Sequence, residues 1–509
     1  MRCGPAPHRL SGGSPWLGLL LGLAVAEAAR AAEGIDGGTA APTVLSAGAD
    51  AGPAAAVAIP DSGSGEPMAT STADGGTTGT ELAAAAADGG APLRERAEFR
   101  GQADPPPNTG DVLIWVPRVV LFPAYLATEY VVRAPLGALS TNAEKNDWPA
   151  WLFNFFAFAP ENRGGIFPTF FLDFGLRPSI GLHFFWDDTF VRDNKFTADL
   201  SWGGSNWITV ALGDRYTFND ADSLAIGARW ARRPDNIYYG IGPEIDTDLR
   251  TRYGTDTISG GIQYRHSVRG FEVTVDPRID RTIFRDYSCC SDPTLNQRVA
   301  AGELPAPPGF QENTTVVSIP VRVLVDTRRP EGFPRSGIRV GAELAPAVDV
   351  TRGFDLSWLR YGATVQGFWD VTRTGRVLSL GVWAGFVDPL GSQPVPFTNL
   401  VTLGGNDPFA GFVTGSLRDR SAVALQLSYM WPVFIFLDGV LGVSVGNVFD
   451  AHLRNFDFDL LRLSAELGIR TRGTGNTSFQ LLIGIGTETF RQGFAVASFR
   501  FSFGVTYGL

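Results

Sequence analysis

The C-terminal part of the chain alternates between large apolar residues and small or polar ones, and this period of two constrains the fold more than any other feature. The last segment is the clearest case, because one of its faces would carry Phe499, Phe501, Phe503, Val505, Tyr507 and Leu509. Successive side chains of a β-strand point to opposite faces. The pattern therefore predicts one strand with an apolar face and a polar face.

The same alternation recurs from residue 166 to residue 509, and no helical periodicity interrupts it. It predicts approximately sixteen strands, with boundaries good to a few residues. Their centres lie near residues 171, 183, 199, 211, 227, 258, 277, 319, 343, 363, 381, 427, 441, 465, 481 and 501.

Two all-β architectures alternate in this way. A soluble sandwich turns its apolar faces inward, whereas a transmembrane barrel turns them outward to lipid. Residues 1–32 resemble a secretory signal, with Arg2 and Arg9 ahead of an apolar run at 16–25. Only 18 % of the residues are charged and 12 % are aromatic, against about 25 % charged in soluble domains. Export, low charge and long two-faced strands together favour a transmembrane antiparallel β-barrel.

The sequence disfavours a helical membrane protein, because no run of about 18 apolar residues is free of charge and proline. We divide the chain into a signal peptide (1–32), a disordered low-complexity periplasmic segment (33–108), a short amphipathic periplasmic segment (109–165) and the barrel (166–509). Residues 33–108 are rich in Ala, Gly, Thr and Asp and cannot bury enough surface to offset chain entropy. A transmembrane helix within 109–165 is the less favoured alternative, because Pro117 and Pro123 break it.

An even number of strands places both ends of a barrel on one side of the membrane, here the periplasmic side. The two longest gaps, 287–312 and 389–419, follow odd-numbered strands and are expected on the outer surface. The charged residues Arg462, Glu466, Arg470 and Arg500 would face the lumen, where we expect them to satisfy one another.

Few residues suggest chemistry. The net charge is −10 without a basic run, so no nucleic-acid partner is predicted. The histidines are scattered, and the carboxylate pairs Asp187-Asp188 and Asp220/Asp222 are most simply solvated turns. We therefore expect no metal, no cofactor and no enzymatic activity; a barrel hydrolase is the weakest alternative. The adjacent Cys289 and Cys290 are more readily a chance pair in a loop than a vicinal disulfide.

Motifs lie in two of the inter-strand gaps. The long gap before the twelfth strand carries Leu403, Gly404, Gly405, Phe409, Gly411 and Phe412, followed by Arg418, Asp419 and Arg420. The turn between the eighth and ninth strands carries Asp326, Thr327, Arg328, Phe333, Pro334 and Gly337. The thirteenth strand ends in Gly446, Asn447, Val448 and Phe449.

In this order and in these gaps, the motifs resemble those of the BamA/TamA-like outer-membrane assembly barrels, also called bacterial surface antigens. The resemblance covers about residues 225–509. It implies a sixteen-stranded barrel whose sixth outer loop folds into the lumen as a lid. It also implies that the first and last strands pair weakly, so that strands of unfolded outer-membrane protein clients enter at that seam. The other implied partner is outer-membrane lipid, and the barrel is expected to be monomeric.

Two departures from the family pattern stand out. Ala410 replaces the lid arginine, and the acidic partner of that arginine aligns either with Ser444 or, in a shifted register, with Asp438. Assembly factors also carry periplasmic POTRA domains, which segment 33–108 cannot supply. The alternative is therefore a POTRA-less structural barrel or small passive pore. Gly504, Tyr507 and Leu509 resemble the C-terminal signal by which barrels are themselves assembled into the bacterial outer membrane.

Overall fold

The structure is a computed structural model. It describes residues 155–158, 163–328, 336–371, 375–405, 408–434, 437–471 and 477–507, together with the single residues 122, 126 and 130. The predicted signal peptide and low-complexity segment lie outside the described residues, as does most of the predicted amphipathic segment. No helix in the described part of the chain is both long enough and apolar enough to cross a membrane.

The described chain forms a closed antiparallel barrel of sixteen strands, which confirms the predicted fold and strand number. The strands are β1 (Gly164–Asp173), β2 (Ser179–Asp187), β3 (Asn194–Trp202), β4 (Ile208–Thr217), β5 (Asp222–Tyr238), β6 (Thr251–Val268), β7 (Phe271–Val275 and Arg278–Arg285), β8 (Thr314–Ser318 and Val321–Asp326), β9 (Gly337–Asp349), β10 (Gly353–Asp370), β11 (Val377–Pro389), β12 (Ser421–Phe434), β13 (Leu437–Phe449), β14 (Arg462–Thr471), β15 (Thr477–Thr487) and β16 (Val496–Tyr507).

Strands β7 and β8 are each interrupted once, at Pro277 and at Pro320. Proline has no backbone N–H and cannot donate to the ladder. The two breaks are adjacent in space, because the N–H of Asp276 donates to the carbonyl of Pro320 (3.0 Å). The predicted centres at 277 and 319 fall at these breaks, and the others fall inside strands.

The two faces of the strands decide between a sandwich and a membrane barrel. On β12, Leu425 and Leu427 are exposed, whereas Gln426 and Ser428 between and beside them are buried. Apolar side chains thus cover the outside of the barrel, and polar ones face its interior. This is the reverse of a soluble sheet and the arrangement that a lipid environment requires.

Turns are short at the end of the barrel where β1 begins and β16 ends, and they are longer at the opposite end. The turns 188–193, 218–221 and 269–270 contrast with the outer loops 286–313 and 390–420. Within loop 286–313 lie the six-residue helix α1 (Leu295–Ala300) and a disulfide between Cys289 and Cys290. The expectation that these cysteines are a chance, unbonded pair was therefore wrong.

Loop 390–420 folds into the barrel as a lid. Its short strands Val401–Leu403 and Leu417–Asp419 pair with each other, and one turn of 3-10 helix (Phe397–Asn399) precedes them. Lid and wall share one apolar core, which includes Tyr238, Tyr253, Trp358, Trp383, Val387, Phe397, Leu403, Phe409, Phe412 and Leu417. The upper interior of the barrel is therefore packed like a protein core rather than only lined by polar groups.

Candidate functional site

The barrel closes through a short seam between its first and last strands. Strand β1 pairs with β16 over four residues, from Phe170 to Asp173, but with β2 over eight. On its other side β16 pairs with β15 over eleven residues. The seam therefore has fewer backbone hydrogen bonds than the neighbouring strand pairs and is the expected site of opening.

A proline explains where the seam ladder stops. Neighbouring residues of an antiparallel strand direct their N–H and C=O groups to opposite neighbours. The N–H of Phe174 donates to Phe501 of β16 (2.9 Å), whereas the carbonyl of Arg163 accepts from Asp187 of β2 (2.7 Å). Even-numbered residues of β1 thus face the seam. Pro168, two residues before the last paired residue Phe170, has no N–H to offer there.

The paired part of the seam is held by side chains on both faces. Outside, the rings of Phe170 and Phe503 lie 4.8 Å apart, and that of Phe174 lies 5.3 Å from Phe501. Inside, Arg500 of β16 forms a buried two-pronged ion pair with Asp173 of β1, at 2.9 and 2.7 Å. Such a pair is stable only while both partners are present.

The same arginine reaches the lid. Nη1 of Arg500 donates to the carbonyl oxygen of Ala410 at 3.3 Å. The resemblance described above predicts a lid arginine at the position of Ala410. In this chain Arg500 lies on the wall strand β16, and it donates to a backbone carbonyl of the lid. The expectation that Arg500 pairs with the other lumen charges was wrong, because its acid is Asp173 across the seam.

Two wall glycines form the seat of the lid tip. A Cβ on Gly484 of β15 would lie 2.6 Å from the carbonyl oxygen of Ala410, and one on Gly486 would overlap the ring of Phe412. A Cβ on Gly411 would in turn overlap the carbonyl of Ile485. The N–H of Gly411 donates to Oγ of Ser464 on β14 (2.8 Å). The lid tip thus contacts the last three strands of the barrel.

The two candidate positions for the acidic partner, Ser444 and Asp438, lie at different distances from the lid tip. Ser444 of β13 lies directly opposite Ser464, which holds the lid tip. Asp438 pairs in register with Arg470, six residues further along the strand or about 20 Å away at about 3.3 Å per residue. Of the two candidates, Ser444 is therefore the residue that lies beside the lid tip; that both members of the family's lid ion pair are replaced stays a prediction.

The root of the lid is fixed at the opposite side of the barrel. Arg418 is buried, and its guanidinium donates to the carbonyls of Ile237 (3.0 Å), Gly415 (2.9 Å) and Phe397 (3.3 Å). The rings of Tyr238 and Phe397 lie 5.3 and 5.5 Å from its central carbon. Among the described residues, three carbonyl acceptors and two aromatic faces surround this charge, so the cation stabilises the lid through backbone and ring contacts.

Asp419 and Arg420 follow at the end of the lid. Burial raises the pKa of Asp419 to about 6, although it accepts the N–H of Arg420 (2.7 Å); the charge of Asp450 adds to the rise. Arg420 donates to Asp388 at the end of β11 (3.0 Å). The lid root thus carries a carboxylate whose ionised form is disfavoured by burial. The remaining predicted lid residues, Gly404, Gly405 and Phe409, lie between root and tip, and the N–H of Gly405 donates to Phe412 (2.7 Å).

Asn447 of β13 and Arg462 of β14 bind the outer loop 239–250. Nδ2 of Asn447 donates to the carbonyls of Pro243 (3.0 Å) and Leu460 (2.5 Å). Arg462 donates to Pro243 (3.0 Å) and to Thr487 (3.1 Å). The expected pairing of Arg462 with other lumen charges is thus replaced by contacts with backbone carbonyls. Asp292 of loop 286–313 accepts from Arg250 of loop 239–250 and from Arg252 at the start of β6, at 2.8 Å each.

The predicted periplasmic turn, at the other end of the barrel, is held by hydrogen bonds among its own residues. Arg328 donates to Asp326 (2.8 Å), and Thr327 exchanges hydrogen bonds with the backbone of Ile338. Gly337 has a φ of +144°, and a Cβ there would lie 2.6 Å from the Cα of Arg328. Phe333 and Pro334 lie outside the described residues. This turn is far along the strands from the lid, so the two motif groups do not form one site.

Gly504, predicted as part of a C-terminal signal, lies at the seam opposite Phe171. A Cβ on Gly504 would lie 2.7 Å from the Phe171 ring, so the glycine permits close pairing. Leu509 and the side chain of Tyr507 lie outside the described part of the chain. Sequence reasoning missed Asp173, Pro168 and Gly484. Pro168 within an alternating segment was the one available signal, since proline in a strand indicates an edge.

Comparison with known proteins identifies the domain. The model of the Omp85 superfamily domain matches residues 193–507. No curated protein matches the sequence. Among solved structures, BamA from Haemophilus ducreyi lacking POTRA domains 1–3 is similar over 68 % of this chain and 70 % of its own, with 14 % identity and a TM-score of 0.48.

Two further similar structures are both named CdiB. The protein from Acinetobacter baumannii has 8 % identity and a TM-score of 0.42, and the match covers 68 % of this chain and 60 % of that one. The protein from Escherichia coli has 10 % identity and a TM-score of 0.45, with 67 % and 62 % covered.

Proposed function

Because the chain belongs to the Omp85 superfamily, we propose that it is a bacterial outer-membrane barrel that assists the insertion or translocation of protein or lipid through its β1–β16 seam. The observation that carries this proposal is the four-residue pairing of the closing strands. The partners are outer-membrane lipid and strands of unfolded outer-membrane protein clients, and the barrel acts as a monomer.

The physical basis is the cost of unpaired backbone groups in lipid. An unfolded strand that enters the hydrocarbon region has N–H and C=O groups that lipid cannot satisfy. The edge of an opened sheet offers those groups partners. A seam of four pairs is the easiest place in this barrel to create such an edge.

The proposed activity involves no covalent chemistry and no cofactor. No group of at least three His, Cys, Asp or Glu in the described residues is arranged to hold a metal. The buried charges at the seam and the lid root act as structural clamps: Asp173 with Arg500, and Arg418 with backbone carbonyls. They position the lid and the closing strands rather than a reacting substrate.

The passive pore is the alternative function, and the packed lid speaks against it. Phe397, Phe409 and Phe412 are fully buried between lid and wall, so ion flow would require the lid to leave. In a planar bilayer we expect brief, small openings. A stable, large conductance would instead favour the pore.

The proposal is tested with purified protein in liposomes and an unfolded client barrel, whose folding is followed by its change in gel mobility. The protein should accelerate client folding over empty liposomes. A lock across the seam, Phe171→Cys with Gly504→Cys, should abolish the acceleration when oxidised and restore it on reduction. These residues are directly opposed, and the closely spaced pairs of an antiparallel ladder favour a disulfide.

The lock is made in a Cys289→Ser/Cys290→Ser background, because the native disulfide would also respond to reductant. The background variant alone, treated with the same oxidant and reductant, is the control. Equal client folding with and without the protein, or equal activity of the locked and reduced forms, would contradict the proposal.

A further inference from the structure

A short segment that precedes the barrel pairs with the first strand. Ala157 forms an antiparallel β-bridge with Gly165, and the N–H of Phe158 donates to the carbonyl of Gly164 at 3.0 Å. Residues 155–158 therefore lie alongside the start of β1, at the periplasmic end of the barrel.

The side of β1 that they occupy is the seam side. The register of β1 with β2 runs without a shift from Gly164 to Phe171, so the alternation of hydrogen-bonding direction holds along this stretch. Arg163 directs its carbonyl to β2, and Phe174 directs its N–H to β16. Gly164 is even-numbered like Phe174, and its carbonyl accordingly faces the seam.

Two elements thus cover the seam edge of β1. Ala157 and Phe158 pair with Gly165 and Gly164 at the lower end, and β16 pairs from Phe170 to Asp173 at the upper end. Between them lies Pro168 of β1, which has no N–H to offer. The lower half of the edge is the part that an incoming strand would need, and the chain's own segment already lies there.

Side chains fit the segment to this position. Ala157 is buried. The ring of Phe158 lies 5.9 Å from that of Trp186 and 6.3 Å from that of Phe184 on the outer face of β2. A Cβ on Gly165 would lie 3.1 Å from the carbonyl oxygen of Phe156. The glycine thus allows the segment to approach β1 closely.

We infer that residues 155–158 form an edge plug, a built-in segment whose residues Ala157 and Phe158 cover the lower seam edge of β1 until an incoming strand displaces it. The plug satisfies the carbonyl of Gly164 in the resting barrel. It is held by one bridge, whereas a longer incoming strand could form several pairs. Naming the incoming strand a client rests on the proposed function; the plug itself does not.

The pairing is tested by a disulfide between Phe158→Cys and Gly164→Cys, made in the Cys289→Ser/Cys290→Ser background and detected by loss of thiol labelling after mild oxidation in the membrane. These residues are directly opposed, and removal of the Phe158 ring makes room for the new side chain. The mispaired control is Phe155→Cys with Gly164→Cys. We expect efficient oxidation of the first pair only. Equal oxidation of both pairs, or of neither, would overturn the inference.

Displacement is tested with a probe peptide that carries residues 496–509 of this chain and a photo-crosslinker. Phe158→Pro removes the N–H that bonds to Gly164, whereas Phe158→Ala keeps it. Crosslinking of the peptide to β1 should rise several-fold in Phe158→Pro and much less in Phe158→Ala. Crosslinking in Phe158→Pro at the native level would refute the plug.

The same variants in the client-folding assay distinguish the edge plug from the proposed insertion function. If the plug gates a working seam, the oxidised 158–164 disulfide should suppress client folding and Phe158→Pro should accelerate it. If the disulfide forms and peptide crosslinking rises, but native protein and all variants leave client folding at the rate of empty liposomes, the proposed function fails and the plug stands.

Discussion

The β5–β6 wall and the β1–β16 seam are both antiparallel strand pairs of one barrel, yet they differ greatly in extent. Strands β5 and β6 are 17 and 18 residues long and pair at fifteen positions. The seam pairs at four. A backbone hydrogen bond contributes about 1 kcal/mol net. Opening the seam therefore requires less free energy than opening the wall, because fewer pairs are broken. A closed barrel can thus have one strand pair that is much weaker than the others.

The two pairs also differ in how their charges are held. The seam ion pair Asp173–Arg500 is almost fully buried, at 1 % and 3 % exposure of the side chains. On the wall, Arg232 is 34 % exposed, and its partner Asp256 is shared with Arg285. The seam depends on one pair, whereas the wall has redundant partners.

The largest expected effect is therefore Arg500→Ala. It leaves Asp173 buried without its cation, and loss of one partner of a buried pair costs about 3 to 5 kcal/mol. It also removes a donor to the lid at Ala410. The barrel should unfold at a lower urea concentration in detergent, as followed by gel mobility.

The matched control is Arg232→Ala, which should lower stability by less than about 1 kcal/mol because its ion pair is partly solvated. The neutral double variant Asp173→Asn/Arg500→Gln should recover much of the loss. Equal effects of Arg500→Ala and Arg232→Ala would show that the seam does not depend on its buried ion pair more than the wall depends on its exposed one.

The second effect concerns pH at the lid root. Burial raises the pKa of Asp419 to about 6. A folded-state pKa above the unfolded value means that the fold prefers the protonated acid, so stability rises as the pH falls through about 6 and the penalty is present above it. Asp419→Asn should remove a penalty of at most about 2 to 3 kcal/mol at pH 7.5.

The measurement is the urea midpoint at pH 7.5 and pH 5 for native protein and Asp419→Asn. The asparagine keeps an oxygen for the N–H of Arg420, so geometry is preserved. The native protein should be more stable at pH 5 relative to the variant than it is at pH 7.5. A constant difference between the two proteins would contradict the raised pKa.

The third effect is at the lid tip. Gly411→Ala places a Cβ on the carbonyl of Ile485, and overpacking of this kind costs about 1 to 3 kcal/mol. Because the root remains fixed by Arg418, we expect the tip to leave its seat while the barrel stays closed. Single-channel recordings should then show longer and larger openings than native protein; unchanged conductance would mean that the tip does not block the lumen.

The smallest effect is Pro168→Val, which supplies the missing seam donor. One added hydrogen bond should stabilise the seam by about 0.5 to 1.5 kcal/mol and slow client folding. Pro277→Val, at the break of β7, is the control: it also adds an N–H but lies away from the seam. If both variants slow client folding equally, Pro168 has no special role in opening.

Much of the fold was predictable, because the alternation of apolar and polar residues along a strand shows which side chains share a face. The alternation at Leu425–Ser428 or Phe499–Ser502 is visible in the sequence and is confirmed by burial. The number of strands and the outer position of loop 390–420 follow from it. The resemblance to assembly barrels rested on motif order and is confirmed by the match over residues 193–507. The domain boundaries before β1 stay predictions.

The partners of the site residues were not predictable. Arg500 and Asp173 are 327 residues apart, and only closure of the barrel brings them together. Gly484 looked like one more small residue on a polar face, although it is the seat for Ala410. Arg418 was predicted only as part of the lid motif, and its contacts with carbonyls and aromatic rings became visible in the structure.

The sequence by itself determined the membrane barrel, its sixteen strands and the identity of the lid, because these depend on the period of the side chains and on local motifs. Only the tertiary structure decided where the lid is held, which residues clamp the seam and what lies on the lower edge of β1. Those features depend on strand register and barrel closure, which bring Ala157 beside Gly165 and Arg500 beside Asp173. A period of two places each residue on a face, but it contains no information about what lies across the lumen or the seam.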